Sequence, residues 1–154
     1  MNRAAEPRTP PHSVEAEQAV LGGLLLDGSA WDNVADVVRT HDFYRPDHRL
    51  IFDAIGHLAS QNQPCDAVTV SEQLERSGKL ADAGGLAYVG SLARDTPTAA
   101  NVRAYAEIVR ERSLLRQLLK AGTDITSLRM AAIMPSLPRI SCSTCARKFR
   151  GGWR

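Results

Sequence analysis

Residues 14–27 read VEAEQAVLGGLLLD, and this stretch predicts the first helix of an all-α head. Ser13 immediately precedes it and is a favourable N-cap residue. Its valines, alanines and leucines give the helix a broad apolar face. Gly22 and Gly23 interrupt that helix, and each costs about 0.5–1 kcal/mol relative to Ala at such a position. We therefore predict that the two glycines provide close packing against another helix.

Helical spacing of apolar residues predicts four more short helices after this stretch. They cover residues 31–39, 47–61, 68–78 and 86–95. No segment sustains the period-two alternation of a half-buried strand. The sequence therefore predicts an all-α fold with a compact multi-helix head.

The longest predicted helix covers residues 98–121, with Thr98 as its N-cap. Long helices in water gain most of their stability from packing an apolar stripe. We expect the stripe here to pack against a returning helix or another subunit. It consists of Tyr105, Ile108, Val109, Leu115, Leu118 and Leu119, interrupted at Arg112.

The chain has 154 residues, a length that suits one domain. Charge is distributed unevenly along it. Residues 1–128 have 13 basic and 17 acidic side chains, a net charge of −4, whereas residues 129–154 have six basic side chains and no acid. The overall pI is thus no argument that the folded part binds nucleic acid.

No apolar run approaches the ~20 residues of a membrane span. We expect a cytoplasmic protein with no membrane contact.

Motifs for nucleotide chemistry are missing from the sequence. A phosphate-binding loop needs G-x-x-x-x-G-K-[ST], and none of the three lysines precedes Ser or Thr. The four histidines lack metal-binding spacing, and we predict that His41 and His48 are surface residues flanking a turn. We therefore predict no catalytic residue and no metal site.

The basic C-terminal segment has two features that leave its role open. Cys142 and Cys145 form one C-x-x-C pair, whereas a structural zinc needs four ligands. Phe149 and Trp153 lie among basic residues, a composition that suits stacking on single-stranded nucleic acid and equally suits a segment without function.

Residues 11–128 resemble the N-terminal domain of the DnaB-type hexameric replicative DNA helicases of bacteria. The matching stretches follow the family's order and spacing. They read SVEAEQAVLGGLLLD, DFYRPDHRLIFDAI, DAVTVSEQLERSG and GKLADAGGLAYVGSLARDTPTAANVRAYAEIVRERSLLRQLL.

The resemblance implies a helical head followed by a helical hairpin, whose first arm is residues 98–121. In the family these domains pair into a trimer-of-dimers collar on the hexamer, where primase and the helicase loader dock. ATP and Mg²⁺ serve a following RecA-like motor domain, and the collar meets DNA only indirectly. The resemblance thus implies an oligomerisation and docking domain acting in chromosome replication, without ATPase or helicase activity of its own.

Three segments are expected. Residues 1–12 form a disordered lead, residues 13–128 form the collar domain, and residues 129–154 form a basic tail outside the resemblance, for which we hypothesise a frameshift origin. This chain is expected to need no cofactor. A free-standing regulatory or nucleic-acid-binding protein derived from the same domain is the alternative.

The resemblance and the apolar stripe together predict the interaction residues. We expect self-association as a dimer or as a trimer of dimers. The predicted oligomer or hairpin contacts are Val102, Tyr105, Val109, Leu115, Leu118 and Leu119.

Overall fold

The structure, a computed structural model, describes residues 9–133, with side chains as far as residue 128. Six α-helices form within this range, and no strand occurs in it. The all-α prediction is confirmed. The helices are α1 (Val14–Leu26), α2 (Trp31–Ala35), α3 (Pro46–Ser60), α4 (Ala67–Arg76), α5 (Gly85–Asp95) and α6 (Val102–Ile133).

The helix starts follow from local hydrogen bonding. Ser13 Oγ accepts the Ala16 N–H at 3.3 Å, which confirms the predicted N-cap of α1. Asp66 Oδ1 accepts the N–H groups of Val68 and Thr69 at 2.9 and 2.8 Å and so caps α4. Each bond satisfies a backbone donor that has no partner within the helix.

The predicted second helix, residues 31–39, is too long. The structure ends α2 at Ala35, where the N–H groups of Val37 and Val38 both bond to the Val34 carbonyl. This turn buries Val38 in the core and leads into a short 3₁₀ turn, Thr40–Asp42.

The predicted bounds of the long helix, residues 98–121, are wrong at both ends. Thr98 Oγ1 accepts the Ala100 N–H within a turn, so that α6 begins at Val102. The helix also continues to Ile133, into the segment that the sequence assigned to the tail. Gly122 does not end it because a single glycine costs a helix only about 1 kcal/mol, and the first proline beyond it is Pro135.

The chain divides into two units after Leu119, and each is described by itself. In the first unit α1 lies at the centre, packed against α3 and α5, and α4 contacts both of these helices. Their inward side chains form one apolar core, whose largest fully buried members include Phe43, Leu21, Leu24, Ile51 and Ile55. In the second unit the described residues continue α6, and residues 120–128 are all exposed.

Candidate interaction surface

The two glycines of α1 lie where the end of α5 and the start of α6 pack closely against that helix. A Cβ on Gly22 would overlap the Thr96 hydroxyl and the Leu92 carbonyl oxygen, both at the end of α5. A Cβ on Gly23 would lie 3.0 Å from a methyl group of Val102, at the start of α6. Gly22 thus faces backbone that cannot move independently, whereas Gly23 faces a side chain.

A buried hydrogen-bonded chain links α1, α3 and α5. His48 is fully buried, with Nδ1 2.7 Å from Glu17 Oε2 and Nε2 2.7 Å from the Tyr88 hydroxyl. The Glu17 carboxylate also accepts the Tyr44 N–H at 2.6 Å. The prediction that His48 lies on the surface is wrong. His48 shares the face of α3 that carries Ile51 and is therefore buried with it.

Every polar side chain along this chain has a hydrogen-bond partner in the head. A carboxylate only accepts hydrogen bonds, so His48 Nδ1–H donates to Glu17. Gln18 Nε2 donates to the Tyr88 oxygen at 3.3 Å, which lets the Tyr88 hydroxyl donate to His48 Nε2. Both ring nitrogens of His48 are thus hydrogen-bonded within the head, and we interpret the chain as a structural link between helices rather than as a catalytic group.

A second buried carboxylate, Asp42, anchors α6 to the head. Arg110 Nη1 donates to its two oxygens at 2.8 and 3.1 Å, Ser113 Oγ donates at 2.6 Å, and the Arg39 N–H donates at 2.9 Å. Burial acts to raise the pKa of Asp42. The hydrogen bonds from Ser113 and Arg39 and the charge of Arg110 outweigh burial, so the pKa lies below its ordinary value.

Arg116 adds a third polar contact on the same side of α6. Its guanidinium donates to the Pro11 carbonyl at 2.8 Å and also to the Asp42 carbonyl. It lies 5.7 Å from the centre of the Tyr44 ring, on which the His12 ring stacks at 4.3 Å. Pro11 and His12, which the sequence placed in the lead segment, therefore contact the head and α6.

The buried and exposed residues of α6 lie on opposite faces. At about 100° per residue, Val102, Ala106 and Val109, which are buried, share a face with the anchoring residues Arg110 and Ser113. The far side of the same unit carries the exposed apolar side chains Leu114, Leu115, Leu118 and Leu119, of which Leu118 is 69% exposed. We call these four leucines the outer face.

The six residues predicted as oligomer or hairpin contacts therefore divide between two environments. Val102 and Val109 are buried in the core of the head, and Tyr105 packs partly against that core. Of these three, only Tyr105 is partly exposed. Leu115, Leu118 and Leu119 belong to the outer face.

Sequence reasoning did not identify the residues that hold α6 in place. Asp42 lies 68 residues before Arg110, and no local pattern connects them. A signal was nonetheless present, because Arg110, Ser113 and Arg116 are three residues apart and so lie along one side of the helix, the side that also carries the apolar Val102 and Val109.

Several predicted features concern residues outside those described. The C-x-x-C pair, Phe149 and Trp153 belong to this group. Among the described residues, no group of three or more histidine, cysteine and acidic side chains could hold a metal ion. Within the same residues, no helix has both the length and the apolar character needed to cross a membrane.

Comparison with known proteins agrees with this architecture. The replicative DNA helicase DnaB of Leifsonia xyli is 49% identical over 121 residues, which are 79% of this chain and 26% of that protein. The crystal structure of the N-terminal domain of DnaB helicase from Mycobacterium tuberculosis has a TM-score of 0.79 at 45% identity, covering 81% of this chain and 89% of that one.

A second solved structure supports the fold alone, at 22% identity and a TM-score of 0.65. It is the N-terminal domain of DnaB helicase from Helicobacter pylori, described with its interactions with primase, and the match covers 75% of this chain and 89% of that one. The present chain spans about a quarter of the length of the Leifsonia relative. The family model for the DnaB-like helicase N terminal domain matches residues 9–111, and the chain accordingly belongs to that family.

Proposed function

We propose that this chain acts as an assembly and docking module of a replicative DNA helicase. It self-associates through α6 and offers the head to primase and to a helicase loader. The observation that carries the proposal is the outer face, four leucines exposed on the side of α6 opposite the head core. An apolar face of this kind on a long helix gains stability when another helix covers it.

The sequence of α6 supports a helix as the covering element. Leu114, Leu118, Ala121, Ile125 and Leu128 follow one another at intervals of four, three, four and three residues. This is the spacing of the apolar seam in a coiled coil. A second copy of the chain provides the same seam, and we propose a dimer as the basic unit, with a trimer of dimers as the larger assembly.

The primase and loader part of the proposal rests on family membership. The Helicobacter pylori domain is described with its interactions with primase, and the fold of this chain is the same. Two buried hydrogen-bonded networks, around His48 and Asp42, hold the head together. We expect DNA to be met only through such partners, because residues 1–128 have a net charge of −4.

We propose no ATP hydrolysis for these residues. The chain lacks the G-x-x-x-x-G-K-[ST] loop that would hold the phosphates and position Mg²⁺. ATP and Mg²⁺ are accordingly not proposed as cofactors here. ATP turnover that survives repeated purification of the protein would contradict the proposal.

Sedimentation equilibrium of the purified full chain tests self-association. Burying a leucine side chain contributes about 2 kcal/mol, so Leu118→Asp in both copies should weaken association by at least tenfold. Leu86→Asp is the matched control, since Leu86 is 55% exposed on α5 and lies outside the outer face. The control should assemble as the wild type does.

The two variants also separate assembly from folding. Both substitutions replace exposed leucines, so both proteins should retain the helical circular dichroism of the wild type. Equal masses for the wild type and for Leu118→Asp at every concentration would contradict the proposed interface. A loss of mass in Leu86→Asp alone would place the interface on α5.

A further inference from the structure

A cavity of about 510 Å³ lies where the end of α1, the start of α2 and the loop between α3 and α4 meet. Its volume falls within the range of ligand sites. Part of its wall is apolar and includes Leu26, Trp31 and Pro64. The rest is polar and includes two carboxylates, those of Asp32 and Asp66. An occupant must match both kinds of wall.

The walls of this cavity are held in place within the head. In the loop, Thr69 Oγ1 donates to the Pro64 carbonyl at 2.7 Å, and the next residue, Cys65, is buried. On the opposite side, the Trp31 ring packs 5.0 Å from the ring of Phe52, which belongs to the core. A site formed in advance lowers the entropic cost of binding.

The two carboxylates have no cationic partner. Among the described residues that line the cavity there is no lysine, arginine or histidine, and neither Asp32 nor Asp66 forms an ion pair with another described residue. Asp66 accepts hydrogen bonds from Val68 and Thr69, and all of them end on Oδ1. The bond from the Thr69 N–H is the main cause that holds the pKa of Asp66 below its ordinary value. Asp66 is therefore charged at neutral pH.

A segment that fits this cavity needs an apolar side chain for one wall and a cationic group for the carboxylates. Nucleic acids and anionic membrane surfaces fit poorly, because their charges have the same sign as Asp32 and Asp66. The net charge of −4 on residues 1–128 also favours a cationic partner.

We propose that the cavity binds a basic segment of a partner protein, in which an apolar side chain is flanked by lysine or arginine. The apolar side chain packs against the wall around Trp31, and the flanking cations pair with Asp32 and Asp66. This inference rests on the docking role proposed for the head and names the kind of segment that docks there. The cavity is separate from the outer face, and self-association is measured in a different assay.

Trp31 provides a fluorescence signal from the cavity itself. The chain has two tryptophans, so Trp153→Phe leaves Trp31 as the only one. This full-length variant is titrated at low salt with a blocked hexapeptide of sequence KKLLKK. We expect a saturable change in fluorescence, with an affinity that added salt lowers. The peptide KKAAKK has the same charge and should bind about tenfold more weakly, whereas EELLEE should give no saturable change.

The double substitution Asp32→Asn and Asp66→Asn, in the same Trp153→Phe background, tests the carboxylates. Asparagine is as good an N-cap as aspartate, and the Asp32 side chain bonds to no other described residue, so the helical circular dichroism should persist. Loss of two partly exposed ion pairs should weaken binding of KKLLKK about tenfold. If the double variant loses its helical signal, Asp32→Asn alone should weaken binding about threefold.

The matched control combines Glu75→Gln with Asp82→Asn, which removes two negative charges from exposed residues outside the cavity. It should bind KKLLKK within about twofold of its parent, because distant exposed charges are screened. An equal loss of affinity in the two double variants would show attraction to overall charge alone and would overturn the proposal. No saturable change with KKLLKK, or equal affinity for KKAAKK, would also overturn it. Failure of self-association in sedimentation would leave these results unaffected.

Discussion

Replacing Gly22 with alanine should destabilise the head strongly, although the same change usually favours a helix. A Cβ at Gly22 would overlap the Leu92 carbonyl oxygen and the Thr96 hydroxyl and lie 2.8 Å from Thr96 Cβ. Thr96 can adopt another rotamer, but the Leu92 oxygen belongs to the backbone of α5. Relief of the overlap therefore requires α5 to move away from α1.

The expected change in the free energy of unfolding is the sum of two opposing contributions. Gly→Ala within a helix contributes about 1 kcal/mol of stability. Overpacking a well-packed core costs about 1–3 kcal/mol, and the upper end applies where backbone must move. We expect Gly22→Ala to lower the free energy of unfolding by about 2 kcal/mol. In Gly23→Ala the added Cβ meets the Val102 side chain, with a methyl at 3.0 Å and the Cβ at 3.3 Å, and no backbone atom closer than 3.7 Å, so the two contributions should cancel to within about 0.5 kcal/mol.

Urea unfolding followed by circular dichroism at 222 nm, at one protein concentration, measures these differences. With a slope of about 2 kcal/mol/M, Gly22→Ala should lower the midpoint by about 1 M. Gly90→Ala on α5 is the positive control, because its added Cβ meets no described atom within 4 Å apart from its chain neighbours and the backbone of its own helix, and it should raise stability by about 0.5–1 kcal/mol. If Gly22→Ala is as stable as Gly23→Ala, the close approach of α5 to α1 is not a constraint on this fold.

Three further predictions concern the buried networks. Asp42→Ala should lower the free energy of unfolding by about 3 kcal/mol, since it leaves Arg110 and Ser113 without their acceptor. Asp42→Asn keeps one acceptor oxygen and should lower that free energy by less in the same urea assay. The pKa of Asp42 is lower in the folded protein than in the unfolded chain, so ionised Asp42 stabilises the fold fully above about pH 4. This stabilisation should be lost as the pH falls through the folded pKa. The acid unfolding curve of Asp42→Asn should lack that loss. Tyr88→Phe should cost about 1–2 kcal/mol, because the His48 Nε2 atom loses its hydrogen-bond partner in a buried site. A cost near zero would show that water replaces the hydroxyl.

The sequence predicted those elements whose causes are local. α1 and α3 each combine a start signal, Ser13 or Pro46, with apolar residues at helical spacing, and both helices form within a residue of the predicted bounds. The start of α6 was misplaced because Thr98 bonds within a turn, and a hydroxyl at that position supports either a turn or a helix.

The features that could not be predicted depend on residues distant in the chain. Glu17 and His48 are 31 residues apart, and Asp42 and Ser113 are 71 residues apart. An acidic residue in a short turn between helices is typical of the surface, and the hydrogen bonds from Arg110 and Ser113 of α6 make Asp42 a buried acceptor. The pairing of these groups is a property of the tertiary fold and has no signature in local sequence.

The hydrogen bonds of Arg110 and Ser113 to Asp42 explain why one particular side of α6 faces away from the core of the head. Small apolar side chains such as Val102 and Ala106 bury area without strong directional preference, and they alone would tolerate rotation of the helix. Hydrogen bonds are directional, and a rotation of about 100°, the angle of one residue, would carry both Arg110 and Ser113 away from Asp42. The buried carboxylate therefore fixes the orientation of Leu118 on the outer face, and weakening the anchor should disturb the proposed assembly even though the Asp42 side chain is buried within the head.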